Sequence, residues 1–121
     1  MIKGIGTDIL EISRFKKVMD KHPERFLKRI FNLDEQKYCQ TYIGPISHLA
    51  ARFSVKEAIA KALGSGIGQN LSFKDMIIER ETNGKPTVRF SEKAQEKFQN
   101  PKVEISISHC QKYVTATAIW F

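Results

Sequence analysis

Ile46 to Leu63 form the longest helical pattern of the chain, and one carboxylate inside that pattern limits what can be built around it. On a wheel of about 100° per residue, Ile46, Ala50, Phe53 and Glu57 fall within about 60° of one another, beside Leu49. Glu57 therefore points into the apolar stripe. An unpaired buried carboxylate costs several kcal/mol, so Glu57 must meet a cation or a metal, snorkel at the helix edge, or take up a proton. Lys61 follows one turn later on nearly the same side, and Lys56 sits on the other. The helix thus presents a carboxylate flanked by two ammonium groups, an arrangement suited to metal-bound phosphate. Gly64 ends it.

A chain of 121 residues, 41% hydrophobic with eight Phe, can bury one sizeable core and is too short for two ordinary domains. Ile2 to Thr7 reads as a short strand. Ser13 is a plausible N-cap for a first helix that His22-Pro23 interrupts, with Pro23 suited to the first position of the next helical turn. A further helix covers Asp34 to Tyr42. The glycines of Gly64-Ser65-Gly66-Ile67-Gly68 follow a helix, whereas a dinucleotide fingerprint follows a strand and opens a helix. Met76–Thr82 and Pro86–Phe90 read as strands joined across Asn83-Gly84, a strong hairpin signal. A short helix, Glu92 to Phe98, follows Ser91. Val103, Ile105 and Ile107 alternate with polar residues, and Tyr113 to Phe121 follows a turn at Cys110 to Lys112. The expected fold is α+β: a single domain, residues 1–121, with helices packed on an antiparallel sheet.

Twenty Lys plus Arg against thirteen Asp plus Glu leave a net charge of +7, which favours acidic partners. Between Ile12 and Ile30, seven cations, Arg14 and Arg25 among them, stand against Asp20 and Glu24 alone. A nucleic-acid-binding module would also be basic, but it gives no reason for Glu57, and the strands lack the basic, aromatic-rich pattern of common RNA-binding sheets. Asp8 is a second unusual carboxylate, placed where the apolar strand ends; its bland reading is a cap or turn residue. Magnesium usually takes one or two protein carboxylates and completes its shell with phosphate oxygens and water, and Asp8 and Glu57 could supply that pair. Ser108-His109 ends a strand, but no nucleophile elbow or following Asp supports a hydrolase triad. Cys39 and Cys110 have no partners at disulfide or zinc spacing. No segment reads as a membrane span or leader, so the cytoplasm is the expected compartment.

Gly4-Ile5-Gly6-Thr7-Asp8-Ile9-Leu10-Glu11-Ile12, Arg52-Phe53-Ser54-Val55-Lys56-Glu57-Ala58 with Lys61-Ala62-Leu63-Gly64-Ser65-Gly66, Asn83-Gly84-Lys85-Pro86, and Ser106-Ile107-Ser108-His109 together resemble the phosphopantetheinyl transferases of the holo-acyl-carrier-protein synthase type. The resemblance runs the length of the chain. It implies the 4′-phosphopantetheinyl transferase fold and transfer of the 4′-phosphopantetheine arm of coenzyme A to a serine of an acidic acyl carrier protein, within fatty acid biosynthesis. It further implies a magnesium ion held by Asp8 and Glu57, with Lys61 beside them in catalysis. Arg52, Lys56, Lys61, Gly64, Ser65, Lys85, Pro86, Ser108 and His109 fall where the family binds coenzyme A, and Arg14 and Arg25 in the region that receives the carrier. A homotrimer with sites between subunits is the implied assembly. For the base that takes the serine proton, Glu57 and a metal-bound water both remain open.

Overall fold

A computed structural model describes all residues, Met1–Phe121. In chain order the elements are β1 (Gly4–Glu11), α1 (Ile12–Lys21), α2 (Pro23–Ile30), α3 (Leu33–Gln40), α4 (Ile46–Ala62), a 3-10 turn (Phe73–Asp75), β2 (Met76–Arg80), β3 (Pro86–Phe90), α5 (Glu92–Lys97), β4 (Val103–His109) and β5 (Tyr113–Trp120). The expected α+β architecture is present. β1, β5 and β4 form an antiparallel sheet in that order, and β2 and β3 form a separate hairpin. No helix is long and apolar enough to cross a membrane.

Several boundaries move for identifiable reasons. β1 continues past Thr7 to Glu11, because β5 pairs with it along its whole length, from Gly4↔Trp120 to Glu11↔Tyr113. Asp8 is therefore a mid-strand residue opposite Ala116 rather than a cap or turn. α1 begins at Ile12, and the Ser13 hydroxyl donates to the Glu11 carboxylate instead of capping the helix. Pro23 does open α2. Ser91 caps α5 by accepting from the Ala94 amide, and Gly84 turns the β2–β3 hairpin at φ 88°, a conformation open to glycine at little cost.

The larger revision concerns α4. A one-sided amphipathic helix is the simplest reading of its sequence, but eleven of its 17 residues are buried. β1, β5 and β4 pack along one side, and α1, α3 and β2 meet it elsewhere. Its N-terminal half (Leu49, Ala50, Ala51) joins Phe15, Ile30, Phe31 and Val114 in one apolar cluster. Its C-terminal half (Val55, Ala58, Ile59, Leu63) joins Leu71, Met76, Ile105 and Ala118 in another. Helix and strand approach closely because β1 lacks side chains at two inward positions. A Cβ on Gly4 would overlap the carbonyl oxygen of Ala62, and one on Gly6 that of Ala58. This contact sets Asp8 against α4.

Candidate active site

Asp8, Glu57 and Lys61 come together where the middle of β1 meets α4. The Asp8 carboxylate is only 15% exposed. It is oriented by the Ser54 hydroxyl, which donates to Oδ2 at 2.7 Å. Lys61 Nζ donates to the Thr7 carbonyl at 2.9 Å and lies 3.4 Å from Asp8 Oδ1. Glu57 is half-buried and takes part in none of the chain's ion pairs. Its carboxyl titrates above the ordinary range, first because burial disfavours the charged form and second because Asp8 is close; Lys61 offsets this in part. Two carboxylates close enough to repel each other thus stand beside one ammonium, which is shared between the Thr7 carbonyl and Asp8 and leaves Glu57 without an ion-pair partner.

The residues beyond this centre fall into separate groups. Gly64 and Ser65 lie just past the end of α4, Gly64 at φ 77°. A cleft of about 430 Å³ lined by Thr7, Asp8, Ile9, Lys61, Thr115, Ala116 and Thr117 runs beside Asp8. Arg52 is 3% exposed and lies on another side of α4, its guanidinium 4.4 Å from the Tyr38 ring. The charges of Arg52, Arg80 and His109 all depress the titration of His48, after the larger effect of its burial. Arg52 of α4, Arg80 of β2 and His109 at the end of β4 are therefore all near His48. Ser108 pairs with Thr115, which pairs with Ile9. All three face away from α4, whereas Asp8 and Ala116 face towards it. Lys85, just before Pro86, is exposed and bound to Glu104 at 3.0 Å. Arg14 lines an apolar cleft of about 300 Å³ with Ile9, Phe15, Val18, Phe26 and Phe53. Arg25 lies at the α1–α2 junction beside Lys21 and His22.

The geometry invites comparison with known proteins. The chain matches the family model described as the 4′-phosphopantetheinyl transferase superfamily over residues 4–118. A holo-[acyl-carrier-protein] synthase of Protochlamydia amoebophila is 48% identical over 120 residues, covering 99% of this chain and 98% of that protein. The chain belongs to the 4′-phosphopantetheinyl transferase superfamily. Among solved members, the holo-[acyl-carrier-protein] synthase of Neisseria meningitidis superposes with a TM-score of 0.92 at 32% identity, covering 100% of this chain and 99% of that one. The Helicobacter pylori synthase, solved in complex with coenzyme A, gives a TM-score of 0.88 at 32% identity, covering 97% and 99%.

Within this transferase framework Lys56 needs correction. The wheel reading set it beside Glu57 as a second phosphate-facing ammonium, but its side chain is 0% exposed and its Nζ donates to Glu35 Oε1 and to the Ile30 carbonyl, both at 2.7 Å. Because α4 is enclosed, the side opposite Glu57 faces α2 and α3 rather than solvent. Burial brings the ammonium down to about 8 against the opposing pull of Glu35. In this chain, then, one ammonium rather than two stands beside Asp8 and Glu57. Sequence reasoning also missed Ser54 as the residue that orients Asp8. It overlooked Glu35 too, although Asn32-x-x-Glu35 is a readable capping box and both of its reciprocal hydrogen bonds are present.

Proposed function

We propose that this chain transfers the 4′-phosphopantetheine group of coenzyme A to a serine of apo-acyl carrier protein in fatty acid biosynthesis, releasing adenosine 3′,5′-bisphosphate. The observation that carries the reading is the Asp8–Glu57 pair, two neighbouring carboxylates of which Glu57 has no ion-pair partner and Asp8 has only Lys61, at 3.4 Å, in a chain of this superfamily. No group of three or more metal-ligating side chains is present. Two carboxylates alone suit magnesium, which keeps several positions for phosphate oxygens and water. When bound there, the ion supplies positive charge to the pyrophosphate and aligns it for in-line attack.

The chain's own groups do the rest. The carrier serine oxygen attacks the pantetheine-bearing phosphorus, the bond to the bridging oxygen breaks, and the bisphosphate leaves with the electron pair. Glu57, whose proton affinity is raised by burial and by Asp8, is suited to take the serine proton. Lys61, anchored by the Thr7 carbonyl, places fixed positive charge beside the phosphates. Arg14 rims the apolar cleft that would receive a carrier helix, and Arg25 extends the basic surface. Because exposed charges are screened over about 8 Å at physiological salt, carrier affinity falls as salt rises. A cytoplasmic location follows from the two substrates.

The whole chain acts as one domain, and we place it in a homotrimer. Ile5 and Ile9 are 64% and 68% exposed on the face of the sheet turned away from α4, where Tyr113 is also exposed. The two groups that would hold coenzyme A lie apart on one chain: Asp8, Glu57, Lys61, Gly64 and Ser65 in one, and Arg52 and His109 in the other. A closed ring that brings one group against the neighbour's other group completes the site and covers the apolar face. Refolding Glu57→Gln together with His109→Ala should then restore transfer in mixed trimers, and a monomer in native mass spectrometry would defeat the assembly. The direct binding test is thermal. Coenzyme A with magnesium should raise Tm in a concentration-dependent way, while a mixed oligonucleotide should not; the reverse result would favour a nucleic-acid module.

A further inference from the structure

Arg52 is almost wholly buried, yet its Nε has no hydrogen-bond partner, and it takes part in none of the chain's ion pairs. A guanidinium in that position normally takes a carboxylate. One is at hand: Glu35 and Arg52 both line the same cavity of about 220 Å³, together with Tyr38, Ile77 and Arg80. Both also act on the Cys39 thiol, which lies within hydrogen-bonding reach of Arg52 but carries no charge to neutralise it. Glu35 does not turn to Arg52, because its two oxygens are already engaged. Oε1 accepts from Lys56 Nζ at 2.7 Å and from the Asn32 amide at 3.1 Å, and Oε2 accepts from the Ile78 amide at 3.0 Å. Two other acids line the cavity: Glu79 is paired with Arg89 at 3.1 Å, and Asp34 is exposed and forms no ion pair with Arg52. Stacking on Tyr38 holds the guanidinium without neutralising it.

We infer that Lys56 is a positioning residue for coenzyme A: by holding Glu35 on the far side of the cavity, it keeps the Arg52 guanidinium unpaired and free for an external phosphate. The inference rests on the proposed role of Arg52 in binding the anionic nucleotide. Lys56 itself meets no substrate. Its charge acts through Glu35, which without it would be a buried, partly unsatisfied carboxylate within reach of a buried, unsatisfied cation. Collapse of those two onto each other would close the site from within. The same arrangement accounts for an ammonium inside the core next in sequence to Glu57. It separates the internal charges into a neutral pair, Lys56 with Glu35, and a cation, Arg52, that has no ion-pair partner.

A purely structural role for the Lys56–Glu35 pair predicts that losing either partner harms coenzyme A binding alike. The proposal predicts opposite behaviour for the two. Binding of adenosine 3′,5′-bisphosphate and of coenzyme A would be measured by titration calorimetry, and KM and kcat in the transfer assay, for four variants. Arg52→Gln should weaken both ligands about tenfold, as expected for loss of one charge-assisted contact. Lys56→Met should weaken them to a similar extent, raising KM for coenzyme A with little change in kcat. Glu35→Gln should leave affinity within about threefold of the parent, and Lys56→Met combined with Glu35→Gln should regain that level, because the competing carboxylate is gone. If Lys56→Met alone does not fold, the neutral double variant decides. Near-parental affinity in it supports the inference, and a tenfold loss overturns it. Equal losses in Lys56→Met and Glu35→Gln also overturn it. If Arg52→Gln binds both ligands like the parent, the role assigned to Arg52 fails first.

Discussion

On one side of α4 the Glu35 carboxylate accepts from Lys56, Asn32 and Ile78 at 2.7, 3.1 and 3.0 Å, and nothing about it is left open. On another side Glu57, next in sequence to Lys56, forms no ion pair, lies near Asp8, and holds its proton more tightly than an ordinary carboxyl. Glu and Lys in one helix thus serve two ends. A buried pair that satisfies itself joins α2, α3, α4 and β2. A half-buried group is left without an ion-pair partner of its own. Buried charge is not in itself a mark of function; the useful mark is buried charge whose partners are missing.

Replacing a member of the closed group should break the comparison from the structural side. Glu35→Ala leaves the Lys56 ammonium buried and unpaired, so the chain should lose about 3–5 kcal/mol of stability in urea denaturation. A loss under 1 kcal/mol would mean that the pair holds little together. Asp8→Asn should change stability far less, because it removes a repulsion felt by Glu57.

A smaller effect tests how the open group is assembled. Gly6→Ala places a methyl group against the Ala58 carbonyl oxygen and must part β1 from α4, at a cost of about 1–3 kcal/mol. Because Asp8 lies two residues further along β1, transfer should fall by more than the stability loss explains. Unchanged transfer in the folded variant would show that the Asp8–Glu57 spacing is not critical.

The smallest effect uses a third carboxylate, buried at the 3-10 turn. Asp75 is pushed up by burial but pulled further down by the Ser72 amide and the Ser91 and Ser72 hydroxyls, leaving it below its ordinary value. A carboxylate with a lowered native pKa stabilises the fold above its unfolded pKa, and that stability is lost as pH falls through the native value. Asp75→Asn should cost about 1 kcal/mol at neutral pH and flatten the acid side of the stability profile. An acid profile identical to the parent's would remove Asp75 from the account.

How much of this was legible beforehand differs between the two sides of α4. The helix itself, the hairpin at Asn83-Gly84, the alternation in β4 and the cap at Ser91 are local signals, and the structure follows them to within a residue or two. Asp8 and Glu57 stood out as carboxylates in apolar settings, and they lie near enough for Asp8 to raise the titration of Glu57. The closed group was not legible, because Lys56 and Glu35 are 21 residues apart and a helical wheel assumes one buried side. A helix enclosed all round defeats that assumption. Gly4 and Gly6 carried a readable hint, since glycine within a strand marks a close backbone approach, but the Ala58 and Ala62 carbonyls they admit are visible only once the chain is folded.

The central claim is that the open carboxylate pair drives group transfer. Mass spectrometry of an apo-acyl carrier protein incubated with coenzyme A, magnesium and this chain tests it most directly. The account predicts a carrier mass gain of one 4′-phosphopantetheine group with the parent chain. It predicts none when the metal is chelated, and rates about 10²–10³-fold lower for folded Asp8→Asn and Glu57→Gln. Transfer at the parental rate in both variants, or undiminished by chelation, would contradict it.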